Sequence, residues 1–409
     1  MTQLSRLILG LLFLFSGFVK AIDPVGNGLV FDAYFDAFGL DFLKPISIGC
    51  GVVLSSVEFL MGVLILLDFR KIWVAWGALL FMGGFTLLTL YLALFNPVSD
   101  CGCFGEAVKL TNWQTFIKNL IFLPFAIILF VQRRNSAPLA SPWTEWAVAL
   151  LFALLISGLS VHCYRYQPLV DFMGFRVGNH IPTLLEEAAK NPSYTYETDL
   201  VYAKEGKERV FSIDSLPDAS WTFVRSDTKE VFTGKFHKVT SFAVFNQEEE
   251  ALGDRLLSDP RTAMVLLITS EKNLNADALA PLAPLVASCR ENDTPYYVLS
   301  ALEATAVHRI LDSCDIDMPV YYLDKKTLLT VIRATPGLLV MQNGTVLAKY
   351  AWREFPTLEQ WQELIQEDPE LVVAQARIRT TVQLEIMAAA LLLVLFLLRK
   401  GFWFARVSV

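Results

Sequence analysis

Cys101 and Cys103 stand one residue apart in the run Cys101-Gly102-Cys103-Phe104-Gly105, inside a short loop between two apolar segments. A disulfide at that spacing closes a small ring, and strained rings are the more oxidising and labile ones. Gly102 and Gly105 give the loop backbone conformations that other residues resist. The chemistry these residues point to is thiol–disulfide exchange. A structural disulfide locking the loop is one alternative. Metal binding with His162 or Cys163 is another, against the usual wider spacing of cysteine ligands.

A second candidate is Glu58, about midway along an apolar run, because an ionisable group in a bilayer is costly. Two readings stand side by side. Glu58 relays protons or binds a quinone headgroup, or it ties helices together through Ser55, Ser56 or Thr86. Lys20 and Lys44 fall near the ends of apolar runs and are expected to snorkel, with no chemistry. Asn119 and Pro124 are read as helix-packing residues. His180, His237 and His308 are scattered without ligand spacing, so no metal site is expected.

These residues need a frame. The 409 residues are 54% hydrophobic and 18% charged, and the low charge points to membrane spans. A net charge of −7 gives no footing for nucleic acid, and six cysteines are too few for a disulfide scaffold. Apolar runs at 4–22, 46–67, 71–95, 113–132, 144–163 and 382–399 each suit a spanning helix. Arg6, Arg70 with Lys71, Arg133 with Arg134, and Arg399 with Lys400 mark every second connection as cytoplasmic. Both termini then lie inside, and 23–45, 96–112 and the long stretch after the fifth run lie outside. Arg6, the first apolar run and Val19-Lys20-Ala21 also read together as a signal peptide with its cleavage site. In the first outer loop, 28–38 is expected to be an amphipathic helix, on the interface or over the bundle's mouth.

This topology puts Cys50 and Cys163 at the same outer boundary as Cys101 and Cys103, where thiols meet an oxidising environment. Cys50 and Cys163 are therefore candidates for a second exchanging pair.

Beyond the fifth run, Ser193 to about Phe245 reads as β, with a turn at Glu205-Gly206-Lys207. Trp221–Val224 and Glu230–Phe232 are expected to flank a polar turn. From Pro260 the order is strand Met264–Thr269, helix Asp277–Arg290, strand Tyr296–Leu299, helix Glu303–Ser313 and strand Val320–Leu323. A hairpin with an Asn343-Gly344 turn and a closing helix, Thr357–Gln366, follow. The fold class is a polytopic helical membrane protein carrying an extracytoplasmic α/β domain. The expected parts are a four-helix membrane domain (1–135), a fifth span (140–165), a mostly β subdomain (166–259), an α/β domain (260–370) and a sixth span (380–401).

The α/β order and the run Ala334-Thr335-Pro336-Gly337 resemble the second half of a thioredoxin-like domain. The resemblance implies a cis Thr335-Pro336 bond beside a binding edge. It also implies that the helices bearing Cys289 and Cys314 lie on opposite sheet faces, both thiols packed or superficial. No cysteine stands near Ser270–Asp277, where a redox Cys-x-x-Cys would follow the first strand, so redox activity is not carried over to this domain.

Residues 1–135 resemble the DoxX and MauE superfamily of bacterial membrane proteins. The motifs are Phe15-Ser16-Gly17-Phe18-Val19-Lys20-Ala21, Val57-Glu58-Phe59-Leu60-Met61-Gly62, and Asp100 with the CGC run. Leu110–Thr115 resembles the longer, Bacteroidetes-like members, which add a span and a thioredoxin-like region. The family implies disulfide or respiratory electron handling, and MauE members are implied to mature a disulfide-rich periplasmic dehydrogenase.

The reading that follows is an inner-membrane thiol–disulfide oxidoreductase that works on periplasmic clients through Cys101 and Cys103. A quinone is the candidate electron acceptor, and no cofactor is certain from the residues. The alternative is a non-catalytic assembly or docking factor with a structural CGC disulfide, binding partners along the Thr335-Pro336 edge.

Overall fold

In a computed structural model, six helices of this protein are long and apolar enough to cross a membrane. The structure describes residues 2–98, 100–134, 140–204, 207–212, 216–218, 220–233 and 235–407. The helical part comprises α1 (Thr2–Ala21), α2 (Pro24–Ala37), α3 (Ser47–Leu67), α4 (Lys71–Phe95), α5 (Asn112–Val131) and α6 (Pro142–Arg165). All but α2 coincide with the apolar runs to within two residues.

α1 and α3 pack backbone to backbone. A Cβ at Gly17 would lie 2.3 Å from the Phe59 nitrogen, and one at Gly62 would lie 2.5 Å from the Leu14 nitrogen. Small residues permit that approach where no hydrophobic drive separates helix from lipid. Leu80, Leu87 and Leu120 point outward and stay exposed, as lipid-facing side chains would. Asn119 Nδ2 on α5 donates to Thr89 Oγ1 on α4 at 3.1 Å, the packing role its sequence context suggests.

Arg6, Lys71 and Arg399, which flank the spans, lie together at one end of the bundle. Arg6 and Lys71 both pair with Asp68, and Arg399 Nη2 reaches Gln3 at 2.9 Å. α2 and the CGC loop lie at the other end. The segment 28–38 is helical up to Ala37 and covers the mouth of the bundle, where Asn27 Nδ2 donates to the Gly51 carbonyl at 2.8 Å.

The C-terminal region begins with α7 (Ile181–Lys190), which the sequence pattern did not reveal. Strands β1 (Tyr194–Lys204), β2 (Lys207–Ser212) and β3 (Thr222–Phe232) form an antiparallel sheet in the order β2-β1-β3. The turn expected at Glu205-Gly206-Lys207 lies outside the described residues except for Lys207. The polar turn expected inside β3 is absent: Ser226–Lys229 continue the strand, because β1 is long enough to pair with all of it.

Next come α8 (Gly253–Leu257), β4 (Thr262–Ile268), α9 (Ala276–Leu279), α10 (Leu282–Glu291), β5 (Tyr296–Ser300), α11 (Ala304–Asp312), β6 (Val320–Tyr322) and α12 (Lys325–Val331). The chain closes with β7 (Gly337–Gln342), β8 (Thr345–Ala351), α13 (Leu358–Gln366) and α14 (Pro369–Val407). The single helix expected over 277–290 is split in two, because Pro281 brings no backbone donor. The last span is continuous with a helix that starts at Pro369, since neither Gly nor Pro interrupts the chain from there to Lys400.

The second sheet has the order β6-β5-β4-β7-β8, with β4, β5 and β6 parallel and β7 and β8 antiparallel. Asn343 and Gly344 both have positive φ and make the hairpin turn between β7 and β8. Thr335-Pro336 is cis. One expectation fails. α10 with Cys289 and α11 with Val307 and Leu311 lie on the same sheet face, in one apolar cluster with Met264 and Leu266. The steps β4 to β5 and β5 to β6 go the same way across the sheet, so right-handed crossovers put both helices on one side. Cys289 is fully buried there, its thiol pushed up to about 12 by burial, and Cys314 is half-buried at the edge of the same cluster.

The two regions meet at a buried ion pair. Arg333 Nη2, just before the Thr335-Pro336 bond, donates to Asp23 Oδ2 at 2.8 Å. Asp23 also caps α2, accepting from the Gly26 amide at 2.8 Å. Arg333→Met would leave Asp23 without its cation, and loss of one partner of a buried pair costs ~3 kcal/mol or more. Faster hydrogen exchange along Pro24–Ala37 is the expected result, and unchanged protection would place the docking energy elsewhere.

Candidate functional site

The CGC loop is sunk into the bundle, not laid on its surface. Ser16 Oγ lies 2.8 Å from the Cys103 carbonyl, although Ser16 is more than a helical turn below the end of α1. The Phe104 ring meets Phe15 at 5.6 Å between centroids, and Lys118 Nζ of α5 lies 4.3 Å over its face. From above, α2 closes the loop in. Tyr34 donates to the Cys101 carbonyl at 3.4 Å, and Val30 leaves no room for a side chain at Gly102. Gly102 also has φ +65°, so glycine is required there twice over.

The two sulfurs lie 2.9 Å apart as free thiols. They differ in setting. Cys101 is buried beside Leu92 and Val98, and Cys103 is half-buried. The hydrogen bond from Cys101 lowers the Cys103 thiol to about 6, with Lys118 and Lys20 adding positive charge against the opposing effect of burial. The same hydrogen bond, with burial, raises Cys101 well above the ordinary thiol range. Burial, together with the nearby cysteines, also raises the Tyr34 phenol, so it stays a neutral donor. One thiolate and one thiol, in contact, are the arrangement an exchanging pair requires. Around them, Asp100 Oδ1 accepts from the Gly102 amide at 2.7 Å, and Lys109 pairs with both Asp100 and Glu106.

Beneath the loop, Lys20 Nζ reaches Glu58 Oε1 at 2.7 Å and Oε2 at 2.8 Å. This corrects two expectations. Lys20 does not snorkel: it is buried, because the Gly17 approach brings α3 within its reach. Nor do Ser55, Ser56 or Thr86 hold Glu58. Ser55 bonds Val52, Ser56 bonds Ser157 and Thr86 bonds Met82, while Ser16 on α1 takes their expected place. Lys44 is half-exposed and pairs with Asp36 and Asp41.

Cys50, near the start of α3, and Cys163, near the end of α6, lie at the same end of the bundle as the CGC loop. Cys163 is buried against Ile22 and Val170, and no sulfur contact joins it to Cys50 among the described residues. The His162 ring packs on Tyr166, 4.7 Å between centroids. At the other candidate edge, Pro336 is buried, and the Thr335 carbonyl accepts from Asn273 Nδ2 at 3.2 Å.

Residues 1–132, which hold the whole CGC and Lys20–Glu58 arrangement, match the family model of the methylamine utilisation protein MauE. The similarity to MauE covers α1 to α5 and the CGC loop. The match ends at Gln132, just past α5, so α6, α14 and the C-terminal sheets lie outside it. Residues 196–231, which run from β1 to β3, match a domain of unknown function, DUF8463. No curated protein and no solved structure matches the chain. Within the matched region, sequence reasoning gave no role to Ser16 or Tyr34 and gave Lys20 no chemistry. The spacing of Ser16 and Lys20, one helical turn apart in an apolar run, was the signal for that pair.

Proposed function

We propose that this MauE-family membrane protein oxidises thiols of exported proteins through the Cys101–Cys103 pair. The carrying observation is the pair of contacting sulfurs with unlike thiols. A thiolate stabilised at Cys103 favours the reduced pair, and that makes its disulfide an oxidant. In the first step a client thiolate attacks the Cys101–Cys103 disulfide and forms a mixed disulfide. The client's second thiolate resolves it, leaving a client disulfide and the Cys101–Cys103 dithiol. Return of the dithiol to the disulfide gives up two electrons and two protons, and a bound quinone would supply the acceptor for them. An apolar cavity of about 550 Å³ between α1, α3, α6 and α14 supports that acceptor, since its wall residue Phe15 touches Phe104 of the loop.

In this reading the protein sits in a bacterial inner membrane with both termini cytoplasmic, as the gathering of basic residues at one end favours. Residues 166–380 are extracytoplasmic. The strand order supports a thioredoxin-like reading of 260–370, which presents clients and exchanges no electrons of its own, having no Cys-x-x-Cys. The matched family's name, methylamine utilisation protein, supports a client among the exported enzymes of that metabolism.

Alkylation-shift assays in intact membranes test the reading. Cys101 and Cys103 are expected to pass from oxidised to reduced as quinone reoxidation is blocked. A pair that stays oxidised under every condition, with Cys→Ser variants still functional, would leave only the docking role. Labelling of the reduced loop by maleimide only from the cytoplasmic side would reverse the topology.

A further inference from the structure

The ion pair beneath the loop is more than two helices need to hold together. Lys20 and Glu58 side chains are 4% and 3% exposed, and keeping charges from water is expensive even when they are paired. Elsewhere in the bundle neutral groups suffice, as where Asn119 meets Thr89. The geometry indicates what the charge serves. Lys20 spends its three donors on Glu58 Oε1, Glu58 Oε2 and Ser16 Oγ, the last at 3.2 Å. Ser16 Oγ in turn lies 2.8 Å from both Glu58 Oε2 and the Cys103 carbonyl, so the network ends on the backbone of one cysteine.

We propose that Lys20, Glu58 and Ser16 are positioning residues that hold Cys103 above a buried cation and thereby set the reactivity of its thiol. The inference deepens the exchange reading and rests on it for its purpose. Cys103 is surrounded by charge of both signs. Lys20 faces it from α1 and Lys118 from α5, Glu58 opposes them from α3, and Cys101 lies in contact. Tyr34 of α2 and Asp100 stand around the same pair. Lys20 favours the thiolate and Glu58 disfavours it, while Glu58 also keeps Lys20 in place. Glu58→Gln keeps an amide oxygen that accepts from Lys20, and Ser16 also holds it, so neutralising one or the other acts with opposite sign, which a purely structural pair would not do.

The experiment uses full-length protein in native membranes, in a Cys101→Ser background whose hydroxyl keeps a donor beside Cys103. Iodoacetamide labelling of the Cys103 peptide is followed across pH by mass spectrometry. Lys20→Met is expected to raise the labelling midpoint by about one pH unit, and Glu58→Gln to lower it by a similar amount, the scale of one nearby charge. Midpoints that stay put, or that move the same way in both variants, overturn the proposal. Should Lys20→Met fail to accumulate, Glu58→Gln decides alone: a fall supports, and an unchanged or raised midpoint overturns. The exchange reading fails separately. A wild-type pair that never cycles sinks that reading while the midpoint shifts survive, and a cycling pair without the shifts sinks only this inference.

Discussion

Cys103→Ser is expected to reduce client oxidation to the uncatalysed background and to leave no client adducts on a non-reducing gel. Cys101→Ser is expected to be equally inactive but to accumulate adducts. The asymmetry comes from burial and charge. Cys103 is the less buried thiol and the one held as thiolate, so in Cys101→Ser it attacks a client disulfide, releases the client's other sulfur as thiolate, and the mixed disulfide persists for want of Cys101 to resolve it. With Cys103 gone, the remaining thiol is buried behind Tyr34 and kept protonated, and it neither attacks nor is reached. Adducts in Cys103→Ser and none in Cys101→Ser would exchange the two roles. Full client oxidation in both variants would remove the loop from the chemistry.

Gly17→Leu carries the second large effect, this time on stability. A Cβ at this position would meet the Phe59 nitrogen at 2.3 Å and its Cα at 2.7 Å, and backbone of that kind does not yield as a flexible side chain does. Forcing α1 away from α3 costs ~3 kcal/mol, the upper part of the usual range for overpacking. The same displacement pulls Lys20 off Glu58, so loss of cation near Cys103 accompanies loss of packing. A lower thermal midpoint in detergent, together with a raised Cys103 labelling midpoint, is the expected pair of readouts. Gly158→Ala is the matched control, because nothing lies within 4 Å of a Cβ there. A Gly17→Leu protein as stable as that control would contradict the close packing of α1 on α3.

The spans were legible because a bilayer demands about 20 apolar residues, and that demand is written into the chain residue by residue. The Asn343-Gly344 hairpin was legible for a similar reason: its two positive φ angles are a local property of those two residues. What escaped was depth and partnership. Lys20 looked like a residue at a span's end, and only the glycine approach of α3, 38 positions along the chain, makes it an interior partner of Glu58. The CGC loop looked superficial because its own residues say nothing about Ser16 pulling the Cys103 carbonyl down. The run Ser226–Lys229 looked like a turn, and its membership of β3 depends on a partner strand long enough to pair with it. The faces of α10 and α11 followed from the direction of successive crossovers, which element order alone leaves open.

Asp23 receives Arg333 of the C-terminal region with one carboxylate oxygen and starts α2 with the other. Val30 and Tyr34, about two and three turns farther along that helix, form the roof over the cysteines. That one carboxylate therefore ties the C-terminal region to the helix that roofs the cysteines, so the two regions share a single point of registration above the thiols.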